Sequence, residues 1–150
     1  MQRYVSEPLR LPPSDGVPYS RADLELLGVE KAGPSFVVNV FLANPDASED
    51  TPHLITSGWV GTMPVFAHGD CWGDQGHCDP PRGPSSPFDL RASHPLTPVN
   101  LTMEVTLALR FLGPIEEVVV TMLVHEARPD APQRDTILRF TRLLLVTYDP

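Results

Sequence analysis

Apolar and polar residues alternate along much of this chain with the two-residue period of β-strands. The clearest case is VNLTMEVT at 99–106. There Val99, Leu101, Met103 and Val105 fall on one side and Asn100, Thr102, Glu104 and Thr106 on the other, the pattern of a strand with one buried face. Residues 35–43, SFVVNVFLA, are nearly all apolar and rich in β-branched and aromatic types. They predict a strand covered on both faces, ended by the turn chemistry of Asn44-Pro45-Asp46. Residues 58–67 predict the next strand, with Trp59, Gly61, Met63 and Val65 on one face and Val60, Thr62, Pro64 and Phe66 on the other. Pro64 has no N–H to give a ladder, so this strand lies at an edge or carries a bulge. Residues 116–125, EEVVVTMLVH, and 136–148, TILRFTRLLLVTY, predict two more strands, with Arg139 and Arg142 marking the solvent side of the second.

Two stretches read less cleanly. In SRADLELLGVE at 20–30, Ser20 and Asp23 resemble a capping box, while Leu24, Leu26 and Gly28 alternate as in a strand. A strand fits better beside the strand-forming residues 35–43. Residues 107–112 form a helical turn closed by Gly113-Pro114. The expected fold class is all-β: an antiparallel β-sandwich of jelly-roll or Greek-key type with long loops.

Composition sharpens this picture at three points. Eighteen prolines among 150 residues argue against long helices, because proline breaks the helical hydrogen-bond ladder. Four of them, Pro8, Pro12, Pro13 and Pro18, fall within residues 1–19 and leave extended or turn backbone there. We therefore expect residues 1–31 to be a Pro-rich arm or linker and residues 32–150 to be the β-sandwich domain. The formal net charge of −8 repels phosphate backbones and argues against a nucleic-acid partner. No apolar run approaches the ~20 residues that span a bilayer, and residues 1–16 contain no signal-type apolar core. The expectation is a chain without a membrane partner, cytoplasmic unless co-exported or cleaved from a longer precursor.

Candidate chemistry gathers in one loop. The stretch 58–79, GWVGTMPVFAHGDCWGDQGHCD, holds both cysteines and both tryptophans. His68, Cys71, His77 and Cys78 are spaced H-x2-C-x5-H-C, with Asp70, Asp74 and Asp79 between or beside them. Imidazole and thiolate are good ligands for zinc and copper. The spacing matches no standard finger or ribbon, and adjacent His77 and Cys78 do not readily face one ion in extended backbone. A Cys71–Cys78 disulfide is a second reading, since Gly73 and Gly76 let the loop fold back. So short a loop would contribute at most ~2–3 kcal/mol. Free, partly buried thiols are the third. The serines lie in no G-x-S-x-G elbow, and no phosphate-binding glycine motif is present. A catalytic residue is therefore assigned to none of these positions. Phe66, His68 and Trp72 cluster where a strand ends and are the candidate partner-binding residues, Trp72 because GDCWGDQG offers a large ring few covering neighbours.

The order of these segments resembles one known family. FVVNVFLANPD at 36–46, GWVGTMPVF at 58–66, LTMEVTLALRFLG at 101–113, EEVVVTMLVHEARPD at 116–130 and the final strand to Tyr148 succeed one another. They do so as in the C-terminal β-sandwich domain that follows the copper domain of tyrosinases, polyphenol oxidases and, more remotely, molluscan haemocyanins. Gly61-Thr62-Met63 resembles that family's G-[ST]-[FLM] strand, and the segments 106–112 and 119–124 its short helix and VTL-type strand. The likeness spans roughly 32–148. It implies a non-catalytic accessory domain that shields, folds or assembles a type-3 copper oxidase. It implies a type-3 copper catalytic domain as partner, with the copper held by that partner and no cofactor bound by this chain. The family's copper histidines sit on a separate helical domain. This chain has five histidines and no H-x3-H pair. In the family the sandwich can plug the copper entrance with one side chain, and the Cys71–Cys78 loop looks like a version found in bacterial-type members. Two other expectations stand beside this one: a copper or zinc carrier using His68, Cys71, His77 and Cys78, and an unrelated β-sandwich binding module.

Overall fold

A computed structural model of the chain describes residues 1–11, 19–31, 33–67, 97–127 and 136–148. The fold is all-β, with antiparallel pairing throughout. In chain order the strands are β1 (Gln2–Val5), β2 (Leu9–Arg10), β3 (Arg21–Val29), β4 (Phe36–Leu42), β5 (Trp59–Val65), β6 (Val99–Glu104), β7 (Glu117–Val118), β8 (Val120–Glu126) and β9 (Arg142–Tyr148). A short helix, α1 (Thr106–Leu112), follows β6. The strands form a four-stranded sheet in the order β1-β8-β4-β5, a three-stranded sheet in the order β6-β3-β9, and a small β2-β7 pair.

One hydrophobic cluster joins the two larger sheets. Ala22, Leu24 and Leu26 of β3 meet Phe36, Val38 and Val40 of β4, Met63 and Val65 of β5, and Met122 and Val124 of β8. Each set is every second residue of its strand, so the two-residue period delivers one face of each sheet to the same interior. The alternation holds over 99–105: Val105 is buried, Val99, Leu101 and Met103 pack on the core, and Asn100, Thr102 and Glu104 are exposed; Thr106, expected on the solvent side, is instead buried, because α1 begins there and its hydroxyl accepts from Ala22 N. The ambiguous 20–30 stretch is a strand, and the middle one of its sheet.

Four expectations change. First, the described parts of residues 1–31, 1–11 and 19–31, are no separate arm. β1 pairs with β8, β2 with β7, and β3 sits between β6 and β9. Side chains do what a periodic pattern would not reveal. The Ser6 hydroxyl accepts from Val120 N at 2.9 Å while Ser6 N donates to Val120 O, which extends the pairing past the end of β1. Second, the last strand is shorter than 136–148. Ile137 and Leu138 are buried, but their N–H groups donate to the Gln2 Oε1 at 2.7 and 2.8 Å instead of to a neighbouring strand. Third, the 116–125 strand breaks at Val119, whose carbonyl accepts from Ala43 N, and the chain changes partners there. Fourth, Trp59 does not share a face with Gly61, Met63 and Val65. The β4–β5 register runs Val40↔Gly61 and then Phe41↔Trp59. The bulge at Val60 turns Trp59 outward onto Phe41, Leu123 and Ala47, while Val60 itself packs on the main core. Gly58 makes this turn possible: its φ is +81°, and a Cβ there would lie 2.3 Å from the Leu42 carbonyl oxygen.

Candidate functional site

The end of β5 is built to hold a phenyl ring in water. β5 is an edge strand among the described residues, and Pro64 lies opposite Val37 on it. Val65 turns inward and is 3% exposed. The next residue, Phe66, therefore turns outward and is 81% exposed. The chain is then pinned: the Ser35 hydroxyl donates to Ala67 O at 3.2 Å and accepts from Ala67 N at 3.1 Å. Ser35 is itself held by Ala127 N, which donates to its carbonyl at 2.8 Å. An exposed phenyl between two fixed neighbours forgoes roughly 1.5–3 kcal/mol of burial. It also loses little backbone freedom if another surface covers it.

The other sequence-based candidates, His68, Cys71, Trp72, His77 and Cys78, lie outside the described residues, and so does any Cys71–Cys78 bond. Among the described residues no three His, Cys, Asp or Glu side chains are grouped to hold a metal ion. His53 is exposed and lies flat on Trp59, with ring centroids 5.2 Å apart and planes 3° from parallel. His125 Nδ1 is 3.7 Å from Glu49 Oε1. Trp59 Nε1 is buried without a hydrogen-bond partner in the described structure.

Sequence reading missed a second apolar surface. In α1 the buried residues are Thr106, Ala108 and Leu109. Leu107 and Phe111, four residues apart and so on one face, are 74% and 55% exposed. A surface helix needs only one apolar stripe. TLALRFL is apolar almost all round, and that excess was the available signal.

A charged cluster lies on the outer side of the three-stranded sheet. Asp23 is 2% exposed, and Arg21 Nε donates to its Oδ1 at 2.8 Å and its Oδ2 at 3.0 Å. Hydrogen bonding to Asp23, then its charge, holds the Arg21 guanidinium above its usual pKa. Arg21 also lies 5.8 Å from the centre of the Tyr148 ring. Glu104 is opposite Asp23 in register and accepts from the Thr106 hydroxyl at 3.0 Å. These groups satisfy one another, as parts of a sheet surface do. Burial raises the Tyr19 phenol pKa, and the Arg110 charge offsets part of that.

No protein-family model, curated protein or solved structure matches this chain.

Proposed function

We propose that this chain is a non-catalytic β-sandwich domain that presents an apolar surface to a protein partner. The partner class we favour is a type-3 copper oxidase domain, which this chain would shield or help to assemble. The observation that carries the binding role is Phe66, a large apolar side chain left in water on backbone fixed by Val65 and by the Ser35–Ala67 clamp. Aromatic residues so placed are typical anchors, because covering them releases water at small entropic cost. The partner class comes from the order of the segments 36–46, 58–66, 101–113 and 116–130, and from them alone.

The test uses the purified chain, its Phe66→Ser variant and a dicopper oxidase domain encoded beside it. The variant keeps the parent melting temperature and loses at least about tenfold in affinity for the oxidase, as loss of an anchor does. A large fall in melting temperature assigns Phe66 to the chain's own fold and sinks the binding role. Unchanged affinity does the same for the site. Copper-dependent catechol oxidation by the isolated chain would overturn its non-catalytic assignment.

A further inference from the structure

The two larger sheets are aligned so that their ends coincide. Gln2 opens β1 and accepts from Ile137 N and Leu138 N, and the next carbonyl, that of Arg139, accepts from Glu30 N just past β3. One end of the fold therefore holds the starts of β1 and β4 and the ends of β3 and β5, with Phe66. The other holds the ends of β1, β6 and β9, the start of β5, and α1. Exposed apolar side chains are divided unequally between them. Of the eight large ones among the described residues, Val5, Leu54, Ile55, Leu107, Phe111 and Tyr148 lie at the α1 end, and only Met1 and Phe66 lie at the other. Singly scattered apolar residues are ordinary on a surface, but a concentration of this kind marks an interaction site.

Four of the six share one corner. A Cβ at Gly61 would lie 3.4 Å from Met103 Cε, so β5 stacks on β6, and the two run in opposite directions. The 3-10 turn Ile55–Ser57, which leads into β5, thus sits beside α1, which leaves β6. Both pieces are held firmly. Ser57 N and Trp59 N donate to Leu54 O, and Gly58 N to Ile55 O. In α1, Ala108 and Leu109 are buried, and Arg110 donates to the carbonyls of Tyr19 and Ser20. The charge at this end is one-sided. The guanidiniums are already engaged: Arg3 and Arg110 with carbonyls, Arg21 with Asp23, and Arg10 with Glu117. Asp46, Asp50 and Glu116 are exposed and have no cationic partner among the described residues. A second copy meeting this end with its own would set carboxylates against carboxylates, and so would a phosphate-rich surface.

We propose that the α1 end is a docking surface separate from Phe66, and that its occupant is an amphipathic segment of another protein with Lys and Arg flanking its apolar stripe. The stripe covers Leu54, Ile55, Leu107 and Phe111, and the cations meet Asp46, Asp50 and Glu116. Covering the apolar group supplies affinity, and the carboxylates select the sign of the partner and speed its approach. Little of the backbone has to be ordered on binding, because the turn and the helix are already fixed. The site does not depend on what Phe66 binds, since the two lie at opposite ends of the strands.

The experiment is a nuclear magnetic resonance titration of the nitrogen-15-labelled full chain with a Leu/Lys peptide of helical amphipathic period. A Leu/Glu peptide of the same pattern and a Leu/Lys peptide of scrambled order serve as controls. The amphipathic Leu/Lys peptide is expected to shift the amides of 54–57 and 106–112 and to bind at least about tenfold more tightly than either control, less so as salt is raised. Leu107→Ser with Phe111→Ser should abolish that preference at unchanged melting temperature, whereas Phe66→Ser should keep it. Asp46→Asn with Glu116→Gln alters only exposed groups, so it tests the charge even where the serine variant folds poorly, and it should weaken binding at least about threefold. Failure of the Leu/Lys peptide to bind overturns the proposal, as does equal binding of the Leu/Glu peptide. Shifts centred on Phe66 would also overturn it. So would a dimer of the chain that the double serine variant dissolves, since the occupant would then be a second copy, or the same amides responding to phosphatidylcholine vesicles and not to peptide, since it would then be lipid.

Discussion

The two larger sheets finish their outer faces by opposite means. Outside the four-stranded sheet, Phe41 and Leu123 are roofed by the 43–58 connection and the first residue of β5: Ala47 and Trp59 pack onto them and His53 stacks on Trp59. Arg3, Asn44 and Thr121 fasten that roof, through bonds from Arg3 to Ala47 O, from Asn44 Nδ2 to Ser57 O and from Thr121 Oγ1 to Asn44 O. Outside the three-stranded sheet no such apolar cluster forms among the described residues. A single buried carboxylate, Asp23, is neutralised by Arg21 on its own strand, two residues away and thus on the same face. The first design stabilises by removing apolar area from water. The second stabilises little and instead prevents a charge from being left alone. The first should depend on volume and the second on partnership.

The sharpest test of that contrast is Phe41→Ala. Phe41 is fully buried, and its truncation should cost about 3–5 kcal/mol, the usual loss for a core phenylalanine. Urea unfolding would measure it. A cost below about 1 kcal/mol would mean that the roof is only draped over the sheet.

Arg21→Met should come next. It leaves the Asp23 carboxylate buried without its cation, and the melting temperature falls. The double variant Asp23→Leu with Arg21→Met should recover most of that fall, because an apolar pair of similar size removes the charge as well as its partner. A double variant worse than the single one would show that the ion pair contributes stability outright.

His53→Ala touches only the outer layer of the roof. Losing the stack on Trp59 should cost about 0.5–1.5 kcal/mol and change the near-ultraviolet dichroism of the indole. An unchanged spectrum would place His53 away from Trp59 in solution.

The smallest effect concerns Tyr19, at the entry to β3. Burial raises its phenol pKa in the folded chain above the unfolded value near 10. The folded state then holds its proton more tightly than the unfolded one. Stability from this group is fully present below pH ~10 and lost as pH rises through the folded pKa. Tyr19→Phe should flatten that alkaline decline, as read by melting temperature between pH 8 and about 11.

These cases also show what the sequence could carry. The strand β6 was legible because burial there follows the two-residue period, and β4 because a run that is apolar almost throughout is covered on both faces, Val40 by the main core and Phe41 by the outer cluster. β3 was legible as a strand but not as the middle one, since pairing partners leave no local trace. Trp59 was placed on the wrong face because a bulge adds one residue, and one residue inverts a strand. Residues 1–10 read as an arm because their pairing is carried by Gln2, Ser6 and distant backbone, none of which forms a hydrophobic pattern. Of the candidate site, Phe66 was legible only as a large ring where a strand ends; its exposure was not, since Val60, assigned to the same face, packs on the core. Leu107 and Phe111 were not, because a helix that is apolar on every side reads as well buried until its packing is known.

Ser35 has one further consequence. Its hydroxyl closes the chain at Ala67, where residues 68–96 depart, and its carbonyl holds Ala127, where residues 128–135 depart. One residue thus ties the residue after β5's neighbour Phe66 and the residue after β8 to the start of β4, much as a single rivet holds three plates, so that losing its hydroxyl would free the end of β5 while leaving the Ala127 bond to its carbonyl in place.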